Sequence, residues 1–171
     1  MIYEPAEDSF LVMKYIRDYA VDKKVLDIGT GSGILAREAK KYSRGVVASD
    51  INEECRPKGI RFIRSDLFEN IHERFDLIIF NPPYLPADER EDAESSLSTA
   101  GGKNGYEIIE KFLENAGDHL TPEGKILLVF SSLTGRKKVD DIVYHREFDF
   151  KLLESKKIPF EVLYCYLISR R

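Results

Sequence analysis

The chain of 171 residues contains no tryptophan and only two cysteines, Cys55 and Cys165. They lie far apart, in no CxxC or Cys/His cluster, so neither a disulfide framework nor a zinc site is indicated and reduced thiols are expected. No apolar run is long enough to cross a bilayer. The opening MIYEPAEDSF carries acids where a signal peptide carries bases, so a soluble, cytoplasmic protein is expected. A basic excess is also missing: the formal charge is −4, which gives no general attraction to phosphate backbones. Low-complexity segments and internal repeats are absent. What remains is a globular balance, 43% hydrophobic and 33% charged, over a length that suits one domain, residues 1–171.

Apolar positions Phe10, Met13, Ile16 and Ala20 recur at helical spacing after Pro5, Glu7 and Asp8, which predicts a helix over about 7–20. KVLDIG, RGVVASD, GIRFIRSD, FDLIIFN and GKILLVFS read as strands, the first followed by a glycine turn and the helical ILAREAKKY. GYEIIEKFLENAGDHL is helical, with Ile108, Phe112 and Leu113 on one side. RKKVDDIVYHRE follows as a helix, and FKLLESKKI and EVLYCYLISR as final strands. VLDI, LIIF and ILLVF are apolar on both faces, which implies a parallel sheet covered by helices. The expected fold is α/β, a Rossmann-like doubly wound sheet, mostly parallel, with a C-terminal antiparallel hairpin.

LDIGTGSG places Gly29, Gly31 and Gly33 between a strand and a helix, where backbone approaches a ligand. The spacing is GxGxG and not the GxGxxG of dinucleotide sites, and Asp27 puts a carboxylate where a pyrophosphate would be repelled. S-adenosylmethionine fits better: its ammonium and sulfonium are cationic and it has no phosphates. Asp50, 21 positions after Gly29, can accept from ribose hydroxyls, and Asp66 from an adenine amino group with Leu67 packed beside the ring. Each acid alone also reads as a strand end or cap.

FNPPYLP, residues 80–86, ends an apolar strand in two prolines. Prolines 82 and 83 keep Asn81 and Pro82 out of helical conformation, so the Asn81 side chain and the Pro82 carbonyl form a fixed pair of acceptors for one NH2 group. Tyr84 offers a flat face to the planar group that bears it. Residues 81–104 read as one long connection with an acidic stretch, Asp88 to Glu94, either a solvated loop or a substrate lid.

YEPAEDSF at 3–10, LDIGTGSGIL at 26–35, SDIN at 49–52, SDL at 65–67, NPPYLP at 81–86 and AGGKNGYEII at 100–109 together resemble the HemK/PrmC-like glutamine N5-methyltransferases. The likeness is to the archaeal and eukaryotic branch, without a separate N-terminal helical domain. It implies a class I S-adenosylmethionine-dependent methyltransferase acting on the Gln of the Gly-Gly-Gln motif in a peptide chain release factor. Tyr3, Pro5 and Ser9 would close over the cofactor, and Asp27, Gly29, Asp50, Asp66 and Leu67 would contact it. Asn81, which also borders the cofactor, would bind the glutamine amide with Pro82, and Tyr84 would flank it. The product would be S-adenosylhomocysteine, and no metal is expected. The branch also implies a small zinc-binding activator subunit, for which GIRFIRSD, a sheet edge with Ile60 and Phe62 alternating with Arg61, offers a strand. Pro57 leaves no room for the usual helix after the second strand. An exocyclic-amine methyltransferase acting on adenine in RNA or DNA is the competing class, which lacks here a recognition domain or basic stripe.

Overall fold

The structure is a computed structural model and describes residues 6–83 and 103–171. The doubly apolar strands β1 (Lys24–Ile28), β4 (Phe75–Phe80) and β5 (Leu120–Ser131) lie side by side at the centre of a seven-stranded sheet. The others are β2 (Gly45–Asp50), β3 (Arg61–Arg64), β6 (Phe148–Ile158) and β7 (Glu161–Arg170), in the order β3-β2-β1-β4-β5-β7-β6. The first five run parallel, and β7 lies antiparallel to both β5 and β6, so the expected hairpin is present. The chain order reverses between β1 and β4, and ligands of such sheets bind in the crevice at that switch.

Strand alternation divides the core. Leu26, Ile28, Ile78, Phe80, Leu128 and Phe130 face helices α3 (Glu107–Ala116) and α4 (Arg136–His145). Val25, Leu77, Ile79, Leu127 and Val129 face α1 (Glu7–Ala20) and α2 (Ile34–Lys40). The first layer is largely aromatic: Phe80 stacks on Phe112 with centroids 4.2 Å apart, and Phe112 lies 5.3 Å from Phe68. Full burial of such a ring contributes about 2–3 kcal/mol.

Both helices with a predicted apolar face turn slightly from the reading. In α1 the buried side chains are Leu11, Val12, Ile16 and Ala20, while Phe10 is 44% exposed. In α3 the stripe runs Ile109, Phe112, Leu113, Ala116, with Ile108 only partly covered, because 109 falls at the middle of the face that 112, 113 and 116 define and 108 at its margin. Between β2 and β3 there is only a 3-10 turn, Glu53–Cys55, so the usual helix is indeed missing. Pro57 lies against the glycine turn instead: a Cβ on Gly33 would come within 2.9 Å of the Pro57 Cβ. Cys55 and Cys165 are buried free thiols. Among the described residues no helix is long and apolar enough to cross a membrane.

Gly33 has φ of +74°, so Gly33→Ala adds left-handed strain to the clash with Pro57. We expect a loss of about 2 kcal/mol, read as a lower denaturant midpoint at unchanged slope.

Candidate active site

All three glycines after β1 adopt left-handed backbone, with φ of +64° at Gly29, +50° at Gly31 and +74° at Gly33, which turns the chain back from strand to helix within five residues. Gly33 caps α2 and has no side chain to satisfy the helix N–H groups. Asp27 does so from β1: its Oδ2 accepts from the Ala36 N–H at 3.0 Å and from Thr30 Oγ1 at 2.6 Å. The carboxyl is 1% exposed. Burial pushes it up to about 7, against the pull of these two hydrogen bonds, and the nearby Asp50 charge raises it further. The strand end therefore holds a carboxylate short of a cation.

Asp50 closes β2 and is tied on both oxygens: Oδ2 accepts from the Gly31 N–H at 3.0 Å and Oδ1 from the Asn52 N–H at 2.9 Å. Each oxygen keeps a second lone pair for an incoming hydroxyl. Asp66 lies two residues beyond the end of β3 and pairs with Lys111 of α3 at 2.9 Å. Leu67 beside it is buried with φ of +48°, a strained conformation for a branched side chain. Ser65 holds it there, donating from Oγ to the Leu67 carbonyl at 2.8 Å and accepting from the Asn70 N–H at 3.0 Å.

Phe80 is in register with Ile28 and Leu128, so Asn81 emerges beside Gly29, one strand spacing away. Its Nδ2 donates to Ser9 Oγ of α1 at 3.2 Å, and Ser9 in turn donates from Oγ and N to Asp8 Oδ1 at 3.4 and 2.6 Å. A carboxylate only accepts, so the single Ser9 proton goes to Asp8 and the hydroxyl can only accept from Asn81. The Asn81 amide is thereby turned with its nitrogen toward α1. Its Oδ1 is buried and has no hydrogen-bond partner among the described residues. An orphaned buried acceptor costs about 1–3 kcal/mol, and an N–H donor arriving at this point removes that cost.

Ser9, Asp27, Gly29, Gly31, Gly33, Asp50, Asp66, Leu67, Asn81 and Pro82 thus gather along the carboxyl edge of β1 to β4. Tyr3, Pro5, Tyr84 and the acidic stretch lie outside the described residues. Two neighbours escaped the sequence reading. Ile51, directly after Asp50, is 54% exposed on this edge, and an apolar residue following a strand-ending acid was a signal that could have found it. Lys111 gave none, being 45 positions from Asp66. Among the described residues the candidate site contains no cluster of potential metal ligands.

The profile of the methyltransferase small domain family matches residues 8–149. A candidate protein N5-glutamine methyltransferase of Methanocaldococcus jannaschii is 39% identical over 95% of this chain and 88% of its own. The release factor glutamine methyltransferase of Lactococcus lactis is 30% identical over 90% of this chain, which spans 63% of that longer protein. Among solved structures, the E. cuniculi Mtq2–Trm112 complex, described as responsible for methylation of the translation termination factor eRF1, superposes with a TM-score of 0.83 at 29% identity, covering 99% of both chains. The sheet order, the helix layers and these likenesses are those of the class I methyltransferase fold. The chain belongs to the methyltransferase small domain family and, within it, to the HemK-like protein glutamine methyltransferases.

Proposed function

We propose that residues 1–171 form one methyltransferase domain that methylates the side-chain amide nitrogen of the glutamine in the Gly-Gly-Gln motif of a release factor, in the cytoplasm. The observation that carries this reading is the buried Oδ1 of Asn81, which has no partner among the described residues and whose direction is set through Ser9. A primary amide has two hydrogens to give. Asn81 Oδ1 and the Pro82 carbonyl would take them, with Tyr84 as the flat wall. An amide nitrogen is a poor nucleophile, and holding its hydrogens fixes its lone pair toward the methyl donor. Orientation and electrostatic preorganisation of this kind supply several kcal/mol without a dedicated base.

The donor set suits S-adenosylmethionine. A buried carboxylate at Asp27, raised to about 7, matches a cationic amino acid end, and the left-handed glycines admit close backbone approach. Asp50 would take the ribose hydroxyls, while Asp66, Leu67 and Ile51 would enclose the adenine; Ser9, Gly29, Gly31, Gly33 and Asn81 would line the remainder, closed by Tyr3 and Pro5. The chemistry supplied on binding is a methyl group on a sulfonium, and S-adenosylhomocysteine is the product. At the far side of the sheet edge, β3 pairs among the described residues only with β2. Arg61 and Arg64 are exposed there, and Phe62 is half-covered, with Arg56 over its ring at 5.2 Å. Mtq2 is described in complex with Trm112. A small zinc-binding subunit adding a strand at this edge is the partner we propose for this chain.

Transfer from labelled S-adenosylmethionine to a release factor, and loss of that label when its Gly-Gly-Gln glutamine is replaced, is the expected result. Label that persists on the substituted factor would overturn the glutamine assignment, and label that appears only on tRNA or DNA would move it to the exocyclic-amine class. Asn81→Ala should lower kcat by about 10²-fold or more with cofactor affinity retained within a few-fold; loss of cofactor affinity instead would reassign Asn81. For Asp27 the folded carboxyl titrates above the unfolded one. Its contribution to stability is therefore complete below the usual carboxylate range and fades as pH rises through about 7. A cationic ligand favours the charged form, so cofactor affinity measured by calorimetry should increase with pH up to about 7 and then level off. Asp27→Asn should bind more weakly and flatten that profile.

A further inference from the structure

The carboxyl edge of the sheet has two halves. Asp27, Asp50 and Asp66 mark the β1, β2 and β3 half, and Asn81 of β4 stands at the boundary. Beyond it come the ends of β5, β7 and β6, which the site as described does not use. This second half shows apolar side chains to solvent. Leu133, in the 3-10 turn Ser132–Thr134 that follows β5, is 48% exposed. Phe160, at the tip of the β6–β7 hairpin, is 100% exposed.

Phe160 is out of place by every local rule. Ile158 pairs with Glu161, so Pro159 and Phe160 form a two-residue turn. Phe160 takes its second position with φ of +68°, where glycine or asparagine is favoured. An aromatic side chain there strains the backbone and gains nothing from burial. The tip is nevertheless firmly built. Ser131 Oγ bonds the Glu161 carboxylate and accepts from the Leu133 N–H at 3.1 Å. The Val162 N–H donates to Ser132 Oγ at 2.9 Å. Lys156 pairs with Glu7 in the first turn of α1, the turn that also carries Ser9 to Asn81. Hairpin, Leu133 turn and amide clamp are thus stitched into one surface.

Bases border it. Helix α4 opens with Arg136, Lys137 and Lys138 and has no acid in its first turn, although that end of a helix is electropositive. Lys137 pairs with Asp141 at 3.0 Å and Arg136 lies 4.0 Å from Asp140, while Lys157 is exposed on the hairpin. Two of these bases are offset within the helix, so what ties the surface to an occupant is its continuity with the amide clamp through the Lys156–Glu7 and Ser9–Asn81 contacts, and that occupant is the protein whose amide reaches Asn81.

We propose that the β5–β7–β6 half of the edge is the docking surface for the acceptor protein, with Phe160 and Leu133 gripping an apolar residue of that protein while its glutamine lies at Asn81. The proposal rests on the glutamine reading given above. Neighbouring strands are about 4.8 Å apart, so the hairpin stands roughly 10–15 Å from Asn81. An extended peptide needs about four residues to cover that span. A folded acceptor reaches both points, whereas the bare Gly-Gly-Gln tripeptide reaches one.

The test is steady-state methylation of an intact release factor by the wild-type chain and by Phe160→Gly, each with any activator subunit it requires. Glycine suits the turn, so this variant should melt no lower than the wild type. We expect its KM for the release factor to rise about tenfold, with kcat and the dissociation constant of S-adenosylmethionine within twofold of wild type. Leu133→Ser should act in the same direction. A KM within twofold of wild type in Phe160→Gly, or an equal loss of cofactor binding, overturns the docking surface while leaving the glutamine assignment intact. A wild-type chain that transfers no methyl to the release factor overturns both.

Discussion

One oxygen of Asp27 receives both the Thr30 hydroxyl and the Ala36 N–H, and the geometry of the pocket depends on this junction. It joins the end of β1, the glycine turn and the first turn of α2, and gives the Ala36 N–H an acceptor that Gly33 at the cap, with no side chain, does not offer. The same burial that makes the junction firm denies the carboxylate its water and lifts its titration toward neutrality. Stability of the empty pocket and affinity for a cation are therefore opposed by construction. Near neutral pH the group stands between its protonated and its charged form, and a cationic ligand draws it to the charged one.

Around that junction the polar groups are set by one another. Asp50 orders the glycine turn through the Gly31 N–H and the following loop through the Asn52 N–H, so the group expected to meet a sugar is oriented before a sugar arrives. Ser65 does the same for the strained Leu67 turn. Asp8 sets Ser9 and Ser9 sets Asn81, which leaves the Asn81 carbonyl oxygen without a hydrogen-bond partner among the described residues. Preorganisation of this sort is what a reaction needs when the nucleophile is feeble and no base is at hand.

The strands, the glycine turn and the sheet edge at β3 were legible in the sequence because each is written in local terms: doubly apolar runs, GxGxG spacing, and a Pro57 too close to Asp50 for a helix. The strand-ending acids and Asn81 could be placed on one edge because parallel strands end on the same side. What sequence could not show was contact at a distance. Ser9 and Asn81 are 72 positions apart, and the acceptor pair at the end of β4 gave no hint that α1 holds one of its members. Lys111 at Asp66 was invisible for the same reason. The phase error in α3, Ile108 for Ile109, arose because adjacent isoleucines both lie within helical spacing of Phe112, and it is burial of Leu113 and Ala116 that centres the face on Ile109.

The short crossover beside the glycine turn bears on how the pocket comes together in time. Only ten residues separate β2 from β3, and Pro57 among them enters with its φ already restricted, so this side of the pocket closes at a small loss of chain entropy. The amide clamp instead waits for a helix at one end of the chain to meet a strand near its middle. Two closures therefore meet at this edge, a short one stiffened by proline beside the glycine turn and a long one across the 72 positions between Ser9 and Asn81, and the second costs the more chain entropy.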